Sequence, residues 1–294
     1  MKRILAGLMC LVLCFEGSNV LAYKDFSDVE EYVEITDLFS NLEIMEGFDD
    51  GTFRPDSTLT RAEAAAIMVR LLGNNNPVPK GKTSFTDVES THWAKEYIYH
   101  AEERGIINGM GDGSFDPDGL VTYHQFVKML VCVLGYKPIA EDKGGFNGGG
   151  YLYVGSSQVT GFTKGVPGEK DKPITRITAA RLIHNALEVE IFEEWAYDVT
   201  ASGACIDLPD YKTIIEDYLG YEIIKGVIIR ADNETIELEI THNYTTGERF
   251  KNGQICALKN EIRNGEELKD CTVVACIQKT DTENRIVAAT KKED

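Results

Sequence analysis

The feature that most restricts this chain is a repetition. "LTRAEAAAI" (Leu59–Ile67) returns in altered form as "VTYHQFVKM" from Val121 and as "ITRITAARL" from Ile174. In register, Ala64, Ile67, Met68, Leu71 and Leu72 fall on Phe126, Met129, Leu130, Val133 and Leu134. They also fall on Ala179, Leu182, Ile183, Ala186 and Leu187. The spacing i, i+3, i+4, i+7, i+8 predicts one amphipathic helix written three times. Gly73 and Gly135 supply stops for the first two copies.

A second shared element precedes that helix. "LEIMEGFDDGTFRPDSTLT" (Leu42–Thr60) and "RGIINGMGDGSFDPDGLVT" (Arg104–Thr122) agree in two glycines, an Asp-Gly turn, a Phe and a Pro. Each reads as the end of a first helix, a tight turn, a short extended piece and the start of the second helix. Further upstream, "FSDV" (Phe26–Val29) matches "FTDV" (Phe85–Val88), and "HWAKEYIYHAEERG" is the first helix of the second copy. The acidic spacing of "GDGSFDPDG" does not fit a calcium loop and reads as a turn, so no metal is expected. The third copy is degenerate: "TGFTKGV" keeps the glycine segment, and "NGGGYLYVGSS" stands in for its first helix. The copies span residues 23–74, 82–137 and 138–190. A helical hairpin of about 50 residues cannot bury its own apolar face, so three copies should share a core in a pseudo-threefold cluster.

Beyond residue 190 the periodicity changes. Residues 191–222 read as a linker with one short helix, "YKTIIEDYLG", and residues 223–294 as a small, mostly antiparallel β module. Two hairpins are expected there. One turns at Asp232 and Asn233, with Ile236, Leu238 and Ile240 alternating against Glu237 and Glu239; the other turns between Asp281 and Asn284. The class is α+β. There is no HExxH, GxSxG or P-loop, and His242, Cys205 and the strand carboxylates form no recognisable catalytic set, so the chain is expected to be no enzyme and to need no cofactor.

The first 22 residues stand apart. Lys2 and Arg3 precede the apolar "ILAGLMCLVLCF", and "NVLA" ends in a small residue before Tyr23, which is the pattern of a secretory signal peptide. The apolar run is too short to span a bilayer, and no later stretch is apolar enough. The net charge of −18 becomes −19 without that segment. With no polybasic run, nucleic acid and anionic lipid are not expected partners. Cys132, Cys205, Cys256, Cys271 and Cys276 remain, an odd number without CxxC spacing, and mostly reduced thiols are expected.

Thr60 and Glu63 have a local explanation. Thr-x-x-Glu before an apolar run is a capping box, and Thr122 with Gln125 repeats it. Thr175 keeps the cap, but Thr178 stands where the reciprocal acceptor would be. Arg61 and Arg176 are not explained this way, because a cation at a helix N-terminus opposes the dipole. Two readings stay open: an anion site built from free helix amides and a guanidinium, or a surface arginine reaching a neighbouring carboxylate.

The ordered motifs F-[ST]-D-V, W-A, G-I-I-x-G, D-G-[ST]-F-x-P and T-R-A-E, over residues 23–190, resemble the S-layer homology (SLH) domain of bacterial cell-surface proteins. That resemblance implies a trio of SLH repeats anchoring an exported protein at the cell surface by binding a secondary cell-wall polysaccharide, often a pyruvylated one. It implies glycan contacts at Arg61 and Arg176, while Tyr123 replaces the arginine in the second copy. Trp93 matches the family aromatic, either packed in the core or stacked on a sugar ring. Asp28 and Asp87 match the acid of F-[ST]-D-V and are expected to cap the first helix or to touch glycan. The alternative functions are a self-assembling S-layer subunit and, less favoured, a wall-active hydrolase.

Overall fold

The computed structural model describes residues 23–25, 30–73, 78, 80–192, 212–245, 249–262, 265–279 and 283–291. The signal segment, "FSDV" with Asp28, Cys205 and most of the expected 191–222 linker lie outside those residues. The chain is α+β and forms two compact units, one of residues 43–47 and 53–214, the other of residues 1–42, 48–52 and 215–294.

The first unit is helical: α2 (Arg61–Leu71), α3 (Lys95–Glu103), α4 (Tyr123–Val133), α5 (Lys137–Asp142), α6 (Gly150–Ser156) and α7 (Arg176–Ala186). The three echoed segments are α2, α4 and α7, and all fifteen apolar positions aligned above are buried. Gly73 and Gly135 follow their helices with φ of 73° and 82°. At Gly135 a side chain is impossible for a second reason: a Cβ would lie 2.2 Å from the Phe192 carbonyl oxygen. "NGGGYLYVGSS" carries α6, while α5 is an additional helix that the repeat pattern does not announce.

The residues just before α2, α4 and α7 close a ring. Leu59 N donates to Ile174 O (3.1 Å), Ile174 N to Val121 O (3.0 Å) and Val121 N to Leu59 O (3.0 Å). Short antiparallel bridges accompany it, Thr58 with Thr175, Thr60 with Leu120 and Thr122 with Pro173. Each copy thus donates to one neighbour and accepts from the other, which makes the three mutually dependent.

The second unit holds α1 (Glu30–Asn41) and five strands: β1 (Tyr221–Ala231), β2 (Thr235–Asn243), β3 (Arg249–Asn260), β4 (Thr272–Lys279) and β5 (Asn284–Lys291). A π-helical turn, Ile214–Tyr218, stands where the short linker helix was expected. The two expected hairpins are β1–β2 and β4–β5. The sequence reading missed β3, which lies between them and completes a closed barrel in the order β1-β2-β3-β5-β4. β1 pairs antiparallel with both β2 and β4, and β3 meets β5 in parallel at Lys259–Arg285 and Asn260–Ile286.

Ile224, Ile228, Ile236, Leu238, Leu258, Val273, Ile277 and Ile286 fill the barrel interior. A register shift falls between Lys225 and Gly226. A Cβ at Gly226 would sit 2.5 Å from the Glu239 carbonyl oxygen, so this close strand approach requires glycine. The first repeat's helix α1 groups with the strands rather than with the other helices. Its last residue shows why: Asn41 Nδ2 donates to the carbonyls of Glu261 and Val287, both at 3.0 Å.

Candidate functional site

The heads of α2, α4 and α7 are built alike. Thr60 Oγ1 accepts from Glu63 N and Glu63 Oε2 accepts from Thr60 N, a complete capping box, and Thr122 with Gln125 forms a second. Thr175 Oγ1 accepts from Thr178 N, with no reciprocal acid. The N3 amide of each helix is therefore occupied.

The first two amides are occupied as well, by main chain of the next copy. Arg61 N and Ala62 N donate to Gly119 O (2.8 Å) and Pro117 O (2.9 Å). Tyr123 N and His124 N donate to Lys172 O (2.9 Å) and Lys170 O (3.1 Å). Arg176 N and Ile177 N donate to Ser57 O (2.8 Å) and Pro55 O (3.0 Å). The reading that left free amides to hold an anion is thereby corrected: the helix ends are saturated by inter-repeat hydrogen bonds.

The arginines follow the same cyclic rule. Arg61 is 9% exposed; its Nε donates to Phe115 O (2.7 Å) and its Nη2 to Asn108 O (2.9 Å). Arg176 is 7% exposed and bonds Phe53 O (2.8 Å) and Glu46 O (2.7 Å). Each guanidinium also lies over the ring of the phenylalanine whose carbonyl it holds, 4.5 Å from Phe115 and 4.6 Å from Phe53. Neither is a surface arginine; both are staples into the turn of the next copy. Tyr123 is the third staple, its hydroxyl donating to Val166 O (2.8 Å).

Asp87 does not cap a helix. Its two carboxylate oxygens accept from Phe115 N and Asp116 N, each at 2.7 Å, holding the same turn that Arg61 grips. α3 begins after Ala94 without a side-chain cap. Burial, and Asp112 to a lesser extent, work to raise the Asp87 carboxyl, but the amides of Phe115, Asp116 and Asp87 itself outweigh them and hold it below the usual range.

Trp93 is 58% exposed, so its packing in the core is excluded. Its ring lies 5.9 Å from His92 and 6.4 Å from Tyr97, and the Arg70 guanidinium stands 5.7 Å over Tyr97. The α2–α3 junction thus carries an open aromatic face edged by a cation.

The sequence reading missed two buried groups on α4. Lys128 is 8% exposed and donates to Ile106 O (2.8 Å) and Asn108 Oδ1 (3.2 Å). His124 is 1% exposed, with both ring nitrogens unpartnered and its ring stacked on Phe146 at 4.0 Å. Burial lowers the His124 pKa, Lys170 adds to this, and Asp171 opposes it. Tyr123, by contrast, left a signal in the sequence by standing in register with two arginines.

Among the described residues no three His, Cys, Asp or Glu side chains are grouped to hold a metal ion, and no helix is long and apolar enough to cross a membrane. Cys132, Cys256, Cys271 and Cys276 are free thiols.

Residues 22–65 and 84–127 match the S-layer homology domain. The chain is 32% identical over 158 residues to a "Surface layer protein" of Brevibacillus choshinensis, covering 53% of this chain and 14% of that protein. It is 28% identical over 197 residues to a "Cell surface protein" of Thermoanaerobacter kivui, covering 64% and 25%. To a "Cellulosome-anchoring protein" of Acetivibrio thermocellus it is 29% identical over 203 residues, covering 64% and 42%. The chain therefore spans less than half the length of each of these relatives.

Proposed function

Since the chain is an SLH domain-containing protein of the cell-surface and S-layer class, we propose that it is exported and held non-covalently on the cell wall by its helical repeats. SLH domains imply wall anchoring; the finer reading is that all three copies act as a trio and bind a secondary cell-wall polysaccharide. The barrel is then displayed as a non-catalytic passenger.

The observation that carries this reading is Trp93. A large aromatic held 58% exposed beside His92, Tyr97 and Arg70 offers a sugar ring a stacking surface with a cation at its edge. The ring of reciprocal hydrogen bonds supports the trio, because it fixes the spacing of neighbouring copies. The net charge of −18 opposes long-range attraction to an anionic polymer, so binding rests on such local groups.

Co-sedimentation with purified wall sacculi tests the reading. The protein should pellet with native sacculi and remain in solution with sacculi stripped of secondary polymer, and Trp93→Ala should weaken pelleting while leaving the circular dichroism spectrum unchanged. Equal pelleting with both preparations, or with neither, would overturn it. Release of sugars or peptides from the wall would overturn the non-catalytic assignment. Concentration-dependent assembly in the absence of wall would favour a lattice subunit instead.

A further inference from the structure

The barrel closes unevenly. β3 pairs with β2 at every residue from Gln254 to Lys259, but it meets β5 only at Lys259 and Asn260. One contact fixes which way its main chain faces. Asn260 N donates to Glu234 O (2.8 Å), and because such pairs recur at every second residue, Leu258, Cys256 and Gln254 also turn their N–H and C=O groups toward β2. Ala257 and Ile255, which alternate with them, turn theirs away. On that side neither has a strand neighbour among the described residues. Both lie on the outside of the barrel: Ile255 is 66% exposed, and Ala257 is exposed as well.

A cleft of about 600 Å³ lies beside this edge, lined by Ala257 and Leu258 of β3, by Glu283 and Asn284 at the start of β5, and by Glu234 and Thr235. A strand edge with unpaired main-chain groups is a template for a further strand, and proteins commonly blunt it with proline or charge. Residues 253–258, "GQICAL", carry neither. The charges around the edge are mainly acidic. Glu239 bends over Gly253, where a Cβ would lie 2.3 Å from its Oε1, and Glu234 and Glu283 line the cleft. The nearby cations are engaged. Lys259 Nζ bridges Glu261 (3.2 Å) and Glu283 (3.6 Å), and Lys279, beside Cys256, donates to both carboxylate oxygens of Glu222.

We propose that the break between β3 and β5 receives an extended basic peptide of a partner polypeptide, which adds to the β3 edge as a further strand. The N–H and C=O groups of Ile255 and Ala257 pair with it. Its apolar side chains cover Ile255, and its lysine or arginine side chains meet Glu234, Glu239 and Glu283. β5 fills the edge from Lys259 onward, so the added strand is short. The barrel would then recruit a partner while the repeats hold the wall, and the two roles are independent.

Hydrogen exchange of the mature chain, followed by NMR, tests the edge first: the amides of Ile255 and Ala257 should exchange faster than those of Cys256 and Leu258, which bond β2. The probe is a blocked five-residue peptide of alternating valine and lysine. Adding it should slow exchange at Ile255 and Ala257 and shift their resonances. Probes with N-methylated valines, or with glutamate in place of lysine, should bind roughly tenfold more weakly. Ile255→Lys puts a charge on an exposed side chain and should weaken binding by a similar factor with Tm unchanged. Ala257→Pro removes an N–H that β2 does not use and should do the same. Equal affinity for the methylated probe, resonance changes centred away from residues 253–260, or no binding of the probe would overturn the proposal. So would dimerisation abolished by Ile255→Lys, which would give the edge to a second copy. None of these outcomes bears on pelleting with wall sacculi.

Discussion

The helical repeats and the barrel both close on themselves through main chain, but the repeats add side chains that reach from one copy into the next. The barrel closes through main-chain ladders from β1 round to β4, over an interior of aliphatic side chains. Any sequence that alternates correctly can make those hydrogen bonds. The repeats close through a ring of three backbone hydrogen bonds and six more from the helix-head amides, and Arg61, Tyr123 and Arg176 add side-chain staples, each reaching into the next turn. A barrel closed by backbone tolerates conservative exchange of its side chains. The repeats share that tolerance except at their three staples, where particular side chains bind the next copy and where the copies can come to differ.

Core truncations should produce the largest losses and should not separate the two regions. Phe126→Ala should cost about 3–5 kcal/mol and Ile228→Ala about 2–5 kcal/mol, because both side chains are fully buried. Hydrogen exchange read by mass spectrometry should place the first loss in the helices and the second in the strands. The staples should separate the regions. Arg61→Met strands two carbonyls that now accept from a cation, and about 1.5–3 kcal/mol is expected, partly offset by removing a buried charge. Tyr123→Phe removes one neutral hydrogen bond and should cost about 0.5–1.5 kcal/mol in denaturant titration. Equal losses for the two would mean that the charge of the staple is immaterial.

A cap should matter less than a cationic staple. Thr60→Ala should cost about 1 kcal/mol, and Thr175→Ala less, since no acid returns its hydrogen bond. The gentlest effect is pH-dependent. His124 is held below its ordinary value of 6.5, so the unfolded chain takes up its proton first as pH falls. Its contribution is complete above about pH 6.5 and declines below it, by at most about 1.4 kcal/mol per pH unit. His124→Phe should flatten that limb of the stability profile in the helices and leave the barrel's profile unaltered.

Much of this was legible in the residues. The apolar stripes of α2, α4 and α7, both capping boxes and both hairpins rest on interactions between near neighbours. β3 was missed because "RFKNGQICALKN" alternates weakly, and its place depends on pairing with β2 and β5. The arginines were correctly singled out as anomalous at a helix head, yet their surroundings were misread. The free amides disappear once a neighbouring copy's turn is laid against them. Asp87 moved from helix cap to turn clamp, and Trp93 from a divided reading to the surface.

By itself the sequence determined the three echoed helices with their caps and the two hairpins, because periodicity and capping act over three or four residues. It also determined that there are three copies, since repetition is visible without any contact. Only the tertiary structure decided what the singular residues do. Arg61 meets Phe115 from 54 positions away and Arg176 meets Phe53 from 123, and no local pattern encodes such a pairing. The meeting of Lys128 and Arg61 on Asn108 is of the same kind. Burial and charge at a junction belong to two copies at once, and they take shape only when the ring closes.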